Sequence, residues 1–296
     1  MKKSIKHKIL FIVNPLSGRE EQNEIEELIV SQSDRYNYEW RIYKTKGEED
    51  RKWIEKEIDD FNPEMLVSTG GDGTVNLVAS ILINRNISMG IIPGGSANGL
   101  AYNLNIPNNP PKALEKCLNT EARPIDMIRI NDKHTCIHLS DIGINARIVK
   151  RFEEEGARGL IGYGKQFLKE FLTKSSTFRF DLKFNQSHYR VRAEMLVVAN
   201  AQAFGTGALI NPDGKIDDGK FELLIIKPYP WWFVFPLFVS FFTGNFSRMK
   251  YVDMYPLEKA QIELDKPAEM QIDGEIMEPM KSIDIKIIPK AVKVHY

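Results

Sequence analysis

The stretch Ser68-Thr69-Gly70-Gly71-Asp72-Gly73-Thr74 sets three glycines among four residues, after an apolar run at 65–68 and before another at 75–83. Glycine frees the backbone for a tight turn and for close approach to a ligand. A helix starting just past such a turn presents unpaired N–H groups and the positive end of its dipole. The same arrangement returns at Pro93-Gly94-Gly95-Ser96-Ala97-Asn98-Gly99, after the apolar residues 87–92. A third polar loop, Asn14-Pro15-Leu16-Ser17-Gly18, follows the apolar residues 8–13. Glycine is only 20 of 296 residues, so these clusters have a local cause.

The segments between the loops alternate. Residues 20–30 carry Ile25, Leu28 and Ile29 at helical spacing, and residues 38–43 alternate as a strand does. Residues 48–58 predict a charged helix with Trp53, Ile54 and Ile58 on its buried face, and residues 69–74 predict a turn. This rhythm predicts a three-layer α/β domain with a mostly parallel sheet. Beyond about residue 125 strands dominate, at 126–130, 136–142, 178–184, 189–200, 221–226, 261–264, 269–272 and 283–288. Only 159–172 and 232–249 read as helical. The second half is therefore expected to be an antiparallel β domain, with the boundary near Arg123-Pro124. A chain of 296 residues has room for two domains and needs no covalent staple.

Composition narrows the function. Lysine plus arginine and aspartate plus glutamate are 40 each, and this balance argues against a nucleic-acid partner. Cys117 and Cys136 form no CxxC pair, so two free thiols in a reducing cytoplasm is the expectation. The first residues contain an apolar run too short for a signal peptide, ending at Asn14-Pro15. The aromatic run at 229–242 is too short to span a bilayer and holds two prolines.

In a parallel sheet successive strand-to-helix loops emerge at one edge, where ligands bind. Three glycine-, serine- or asparagine-rich loops there point to a phosphoryl ligand, to which Ser96 can donate. The first cluster is neither GxxxxGK[ST] nor GxGxxG. Asp72 suits a site shared with magnesium or with a hydroxyl that must lose its proton; otherwise it is an N-cap in a plain turn.

Asn14-Pro15 with Ser17-Gly18, Gly70-Gly71-Asp72-Gly73-Thr74 with Asn76, Pro93-Gly94-Gly95-Ser96 with Asn98, and the late Asp273-Gly274-Glu275 together resemble the diacylglycerol kinase catalytic-domain family. That family includes bacterial lipid kinases and sphingosine kinases. The resemblance runs over nearly the whole chain. It implies an α/β ATP-binding domain at 1–125, with 289–296 returning to it, and a β-sandwich lipid-substrate domain at 126–288. ATP would lie between them, held by Asn14, Ser17, Gly18, Thr45, the Gly70-to-Thr74 loop, Ser96 and Asn98, with Glu275 reaching the same site. Glu275 or Asp273 would take the proton from the lipid hydroxyl. Asp72 and Asp126 match positions that organise catalytic Mg2+ and water. Asp218, with backbone carbonyls near Lys215 and Lys220, matches a structural Mg2+ site. Taken alone, Asp273-Gly274 reads as a hairpin turn and Asp217-Asp218-Gly219 as an ordinary turn. The wording departs from the family at Leu77, where glutamate is frequent, and at Gly99, where aspartate is frequent.

A membrane-resident lipid substrate requires an enzyme that reaches the interface. Tyr229, Trp231, Trp232, Phe233, Phe235, Phe238, Phe241 and Phe242 lie close to Arg248 and Lys250, and residues 147–174 mix cations with Phe152, Leu160, Ile161, Tyr163, Phe167 and Phe171. Aromatics beside cations suit headgroup contact, whereas a helix packed on the β domain would bury them. The expectation is a cytoplasmic chain with peripheral contact at the inner face of the membrane, and the resemblance leaves room for a homodimer. Two other functions fit GGDGT: a NAD kinase, or a nucleotide- and lipid-binding protein without turnover.

Overall fold

The computed structural model describes residues 7–15, 21–143, 177–203 and 209–296. Ser17, Gly18 and the cationic stretch at 147–174 lie outside the described residues. The chain divides into two compact units, Met1–Ile125 with Lys290–Tyr296, and Asp126–Pro289.

The first unit alternates β1 (His7–Val13), α1 (Glu21–Ser33), β2 (Tyr38–Lys44), α2 (Asp50–Phe61), β3 (Met65–Gly70), α3 (Asp72–Leu82) and β4 (Ser88–Pro93). The strands pair in the order β2-β1-β3-β4, all parallel. Residues of β1 from Ile9 to Val13 are buried on both faces, which is why that strand is a continuous apolar run rather than an alternating one. Helix α2 turns Ile54, Ile58 and Phe61 inward. Trp53, expected beside them, is 43% exposed with the Lys56 ammonium over its ring. It sits one residue off the i, i+4, i+7 stripe that faces the sheet. The glycine turn is also shorter than the sequence predicts. Thr69 and Gly70 complete β3, and α3 begins at Asp72, leaving Gly71 as its cap.

After β4 come α4 (Gly99–Asn103), the helix expected beyond the second glycine loop, and α5 (Pro110–Asn119), which was not expected. The start of α5 is coded in Asn109-Pro110-Pro111: Asn109 accepts from the Lys112 N–H at 3.2 Å, and proline fills the first turn. Ala113, Leu114 and Cys117 bury against β4. Burial lifts the Cys117 thiol to about 12, and both cysteines are free and buried.

The second unit is built on β5 (Ala122–Ile130), β6 (His134–Cys136), β7 (Leu139–Gly143), β8 (Phe178–Phe184), β9 (Ser187–Ala193), β10 (Met195–Ala199), β11 (Phe221–Ile226), α6 (Val234–Thr243), β12 (Val252–Leu257), β13 (Lys259–Ala268), β14 (Met270–Ile272), β15 (Glu275–Ile276) and β16 (Met280–His295). One antiparallel sheet runs β12-β11-β10-β7-β14-β15. Strands β9, β8, β13 and the first part of β16 form another antiparallel ladder. The alternation of β10 and β11 explains how they pack. Leu196, Val198, Phe221, Leu223 and Ile225 join a core shared with Phe180, Ile262 and Ile283. Val197, Ala199, Leu224 and Ile226 face the opposite way and meet Val234, Leu237 and Phe246.

The last strand serves both units. Residues 259–263 of β13 pair with residues 282–286 of β16, whereas Lys293 and Val294 lie parallel to Ser88 and Met89 of β4. Lys290, at the division, has a left-handed φ of 52°.

Candidate functional site

In the first unit the chain leaves β1 toward β2 on one side, then returns to place β3 on the other. Such a reversal opens a crevice beyond the carboxyl ends of the two central strands. Asn14 follows β1 there, and Gly70-Gly71 closes β3. Val13 is in register with Thr69 and with Lys44, so Asn14, Gly70 and Thr45 come to one edge. Backbone bonds fasten the loops. Asn14 N–H donates to Thr69 O at 2.9 Å, Thr45 N–H to Val13 O at 2.9 Å, and Gly94 N–H to Gly70 O at 2.9 Å. The Asn14 amide also reaches the Thr74 hydroxyl, 3.3 Å away.

Two glycines let the loops touch. A Cβ on Gly95 would lie 2.5 Å from the Gly71 Cα, against backbone that cannot swing aside. Asn98 stabilises the second loop by accepting from Gly95 N–H and donating to Gly95 O, both at 2.8 Å, and it caps α4 with a φ of 51°. Asp72 does not cap its own helix. Its carboxylate accepts from the N–H groups of Gly99 and Leu100, at 3.0 and 3.3 Å, and so ties the first glycine loop to the second. Gly99, where the family resemblance leads one to expect a carboxylate, is one of these donors. Ser96 is exposed at the rim. The Ser68 and Thr69 hydroxyls are buried along β3 without a hydrogen-bond partner, so polar capacity remains beside the crevice.

In the second unit, Asp273-Gly274 forms a two-residue hairpin turn between β14 and β15, with φ of 47° and 91°. Both positive angles make it type I′, as Asp-Gly favours. The Asp273 side chain turns inward, 5% exposed. It accepts from the N–H groups of Ile137, His138 and Leu139 at 2.8, 2.9 and 3.1 Å, and the Cys136 thiol lies 3.3 Å away. These bonds explain why the single strand expected at 136–142 is broken: the N–H groups between β6 and β7 serve a carboxylate rather than a ladder. A carboxylate so occupied holds the hairpin in place and is poorly placed to receive a substrate proton. Glu275, across the turn, is exposed.

Behind the hairpin lies a polar layer the sequence reading missed. Gln271 donates to the Asp141 carboxylate at 2.6 Å and accepts from Gly274 N–H at 2.7 Å. Ser140 Oγ donates to Gln271 O at 2.5 Å, and the His138 Nε2 contacts Ala203 O at 2.8 Å. The clue in the sequence was Ser140-Asp141 inside a strand that buries every residue.

Asp126 is wholly buried at the start of the second unit, its carboxylate accepting from Gly219 N–H at 2.6 Å. Its backbone N–H donates to Ile216 O at 2.7 Å, and the Asn200 amide donates to its carbonyl. Asp126 is thus joined to the turn that carries Lys215, Asp218 and Lys220. Asp218 is exposed and accepts from Lys220 N–H at 3.1 Å. Among the described residues no cluster of three His, Cys, Asp or Glu side chains is arranged around a metal. A cation here would draw on Asp218 and backbone oxygens, donors that suit magnesium. Nearby, burial pushes the Glu222 carboxyl above its ordinary range despite the Asn211 amide 2.5 Å from it.

Residues 8–130 match the diacylglycerol kinase catalytic domain, and residues 140–296 match the YegS C-terminal NAD kinase beta sandwich-like domain. Among curated relatives, a Yersinia enterocolitica protein named "Probable lipid kinase YegS-like" is 27% identical over 238 residues, 78% of either chain. A Klebsiella pneumoniae protein of the same name is 28% identical over 240 residues, covering 79% of this chain and 78% of its own. A solved diacylglycerol kinase structure from Bacillus anthracis superposes with a TM-score of 0.81 at 23% identity, over 99% of this chain and 98% of its own.

Proposed function

Because this chain belongs to the YegS-like lipid kinase family, we propose that it transfers the γ-phosphoryl group of ATP to the hydroxyl of a diacylglycerol-like lipid. The observation that carries this reading is the meeting of Asn14, Thr45 and Gly70-Gly71 at the switch point of the parallel sheet. Phosphate oxygens would be held there by loop N–H groups, by the Asn14 amide and by Ser96. Glycine at 71 and 95 keeps both loops close enough to act together.

The reaction forms a bond from the lipid hydroxyl oxygen to the γ-phosphorus and breaks the bond to the β–γ bridging oxygen, with the hydroxyl proton passing to a base. Glu275 is the base in this reading. Its carboxylate is exposed, while Asp273 is committed to three backbone N–H groups. Asp72 keeps lone pairs beyond the two it gives to Gly99 and Leu100, and these could orient water at the phosphate end. Magnesium, when bound, supplies positive charge to the transferring group. Asp218 and the carbonyls near Lys215 and Lys220 would hold a separate, structural ion, to which Asp126 is tied through Gly219.

Purified protein given radiolabelled ATP, magnesium and separate pools of diacylglycerol, phosphatidylglycerol, sphingoid bases and NAD tests this. Transfer to a lipid pool is expected, with Glu275→Gln at least about a hundredfold slower and unchanged in ATP binding. Transfer to NAD alone would make the chain a NAD kinase. Transfer to no pool would leave a binding protein.

A further inference from the structure

The aromatic run of the second unit is sorted by the fold into two faces. Tyr229 and Phe233 are half-buried, and Val234 and Leu237 are buried, all against the sheet core. Trp231, Trp232 and Phe235 are 79%, 62% and 74% exposed, and Val239 is 41% exposed. Trp231, Phe235 and Val239 succeed one another at intervals of four residues, so they form one stripe running from the short helical turn Trp231–Phe233 along α6. The side chains of Phe238, Phe241 and Phe242 fall outside the described set. A helix apolar on its outward as well as its inward face is ordinarily buried on both. Contiguous exposed aromatics of this kind mark an interaction surface.

The surrounding charge indicates the partner. Between Glu222 and Asp253 there is no carboxylate, whereas Arg248 and Lys250 are exposed shortly after α6. Indole rings in a stretch of chain that carries cations and no acid match the headgroup region of an anionic leaflet, Glu194 being engaged by the half-buried Tyr229 on the inner side. No helix among the described residues is long and apolar enough to cross a membrane. We propose that Trp231, Trp232, Phe235 and Val239, flanked by Arg248 and Lys250, enter the interface of an anionic lipid bilayer and bring the kinase to its substrate. The proposal rests on the lipid kinase reading for its purpose but not for its test.

Flotation with phosphatidylglycerol–phosphatidylcholine vesicles, without ATP, measures docking directly. Wild type is expected to float. The triple variant Trp231→Ser, Trp232→Ser, Phe235→Ser should bind more weakly by about tenfold for each aromatic lost. These side chains point away from the core, so thermal melting should be unchanged. Arg248→Glu with Lys250→Glu should abolish most of the preference for phosphatidylglycerol over pure phosphatidylcholine. Vesicles with brominated acyl chains should quench wild-type tryptophan fluorescence, and the Trp231→Ser, Trp232→Ser pair should lose that quenching. On a long-chain diacylglycerol in vesicles the triple variant should be slow, yet equal to wild type on a water-dispersed short-chain one. Vesicle binding by wild type with no lipid phosphorylated would sink the kinase reading and leave the docking surface standing. A triple variant that floats like wild type overturns the proposal. So does one whose only change is loss of a dimer in sedimentation, which would assign the stripe to a second copy of the chain.

Discussion

Asp273 holds its hairpin through one buried side chain, whatever else that side chain does. Its carboxylate collects three backbone N–H groups that would otherwise be buried and unpaired. Asparagine can offer one oxygen and would turn an amide group toward the same donors. Asp273→Asn is therefore expected to cost about 3 kcal/mol, read by denaturant titration, because buried donors without acceptors are expensive. Glu275→Gln should leave stability unchanged while removing turnover, and this contrast separates the two acids of one turn. At Gly95 the effect is steric. A methyl group would collide with the Gly71 backbone, so Gly95→Ala should separate the glycine loops and weaken ATP binding at least tenfold, measured by calorimetry. A variant binding ATP like wild type would show that loop contact is dispensable.

Among elements, the connection from β2 to α2 is held by Asp50, which accepts from Lys46 N–H, Gly47 N–H and the Tyr43 hydroxyl at 2.8, 2.9 and 2.8 Å. Burial pushes its pKa up, but these bonds outweigh burial and hold it below the usual 3.8. A carboxylate with a depressed folded-state pKa stabilises the protein above its unfolded value and loses that contribution as pH falls through the folded value. Asp50→Asn should thus lower the melting temperature at pH 7, and the gap from wild type should close below about pH 4. Much of this architecture is legible in local pattern. Strands buried on both faces appear as apolar runs, and glycine clusters mark where β3 and β4 end. Helix α5 was legible too, in Asn109-Pro110, but its mixed composition hid it. Other features depend on distant partners. Trp53 is one residue from a buried stripe, and only the packing of α2 decides which way it faces. The polar layer of Asp141, Gln271 and Asp273 joins residues about 130 positions apart, a pairing that no local spacing encodes.

At the scale of the molecule, the sheet of the first unit is completed by residues from beyond the second. His295 fixes that return. Its Nδ1–H donates to Thr120 O at 2.6 Å, and its Nε2 lies 2.9 Å from the Ser88 hydroxyl oxygen. Burial lowers its pKa below 6.5, although the bond to Thr120 acts the other way. Burial in the folded state therefore favours the neutral ring. Its contribution is complete above the unfolded value near 6.5 and is lost as pH falls from there through the lower folded value. Replacing His295 by Gln should flatten the slope of melting temperature against pH below about 6.5. An unchanged slope would clear His295 of this role. The shared strand also orders events during synthesis. A ribosome delivers all of the first unit's helices early, yet β4, already paired with β3, lacks its second parallel neighbour until Lys293 and Val294 emerge, after the whole of Asp126–Pro289. The first unit must wait, with one edge of its sheet unpaired, for the second to be made.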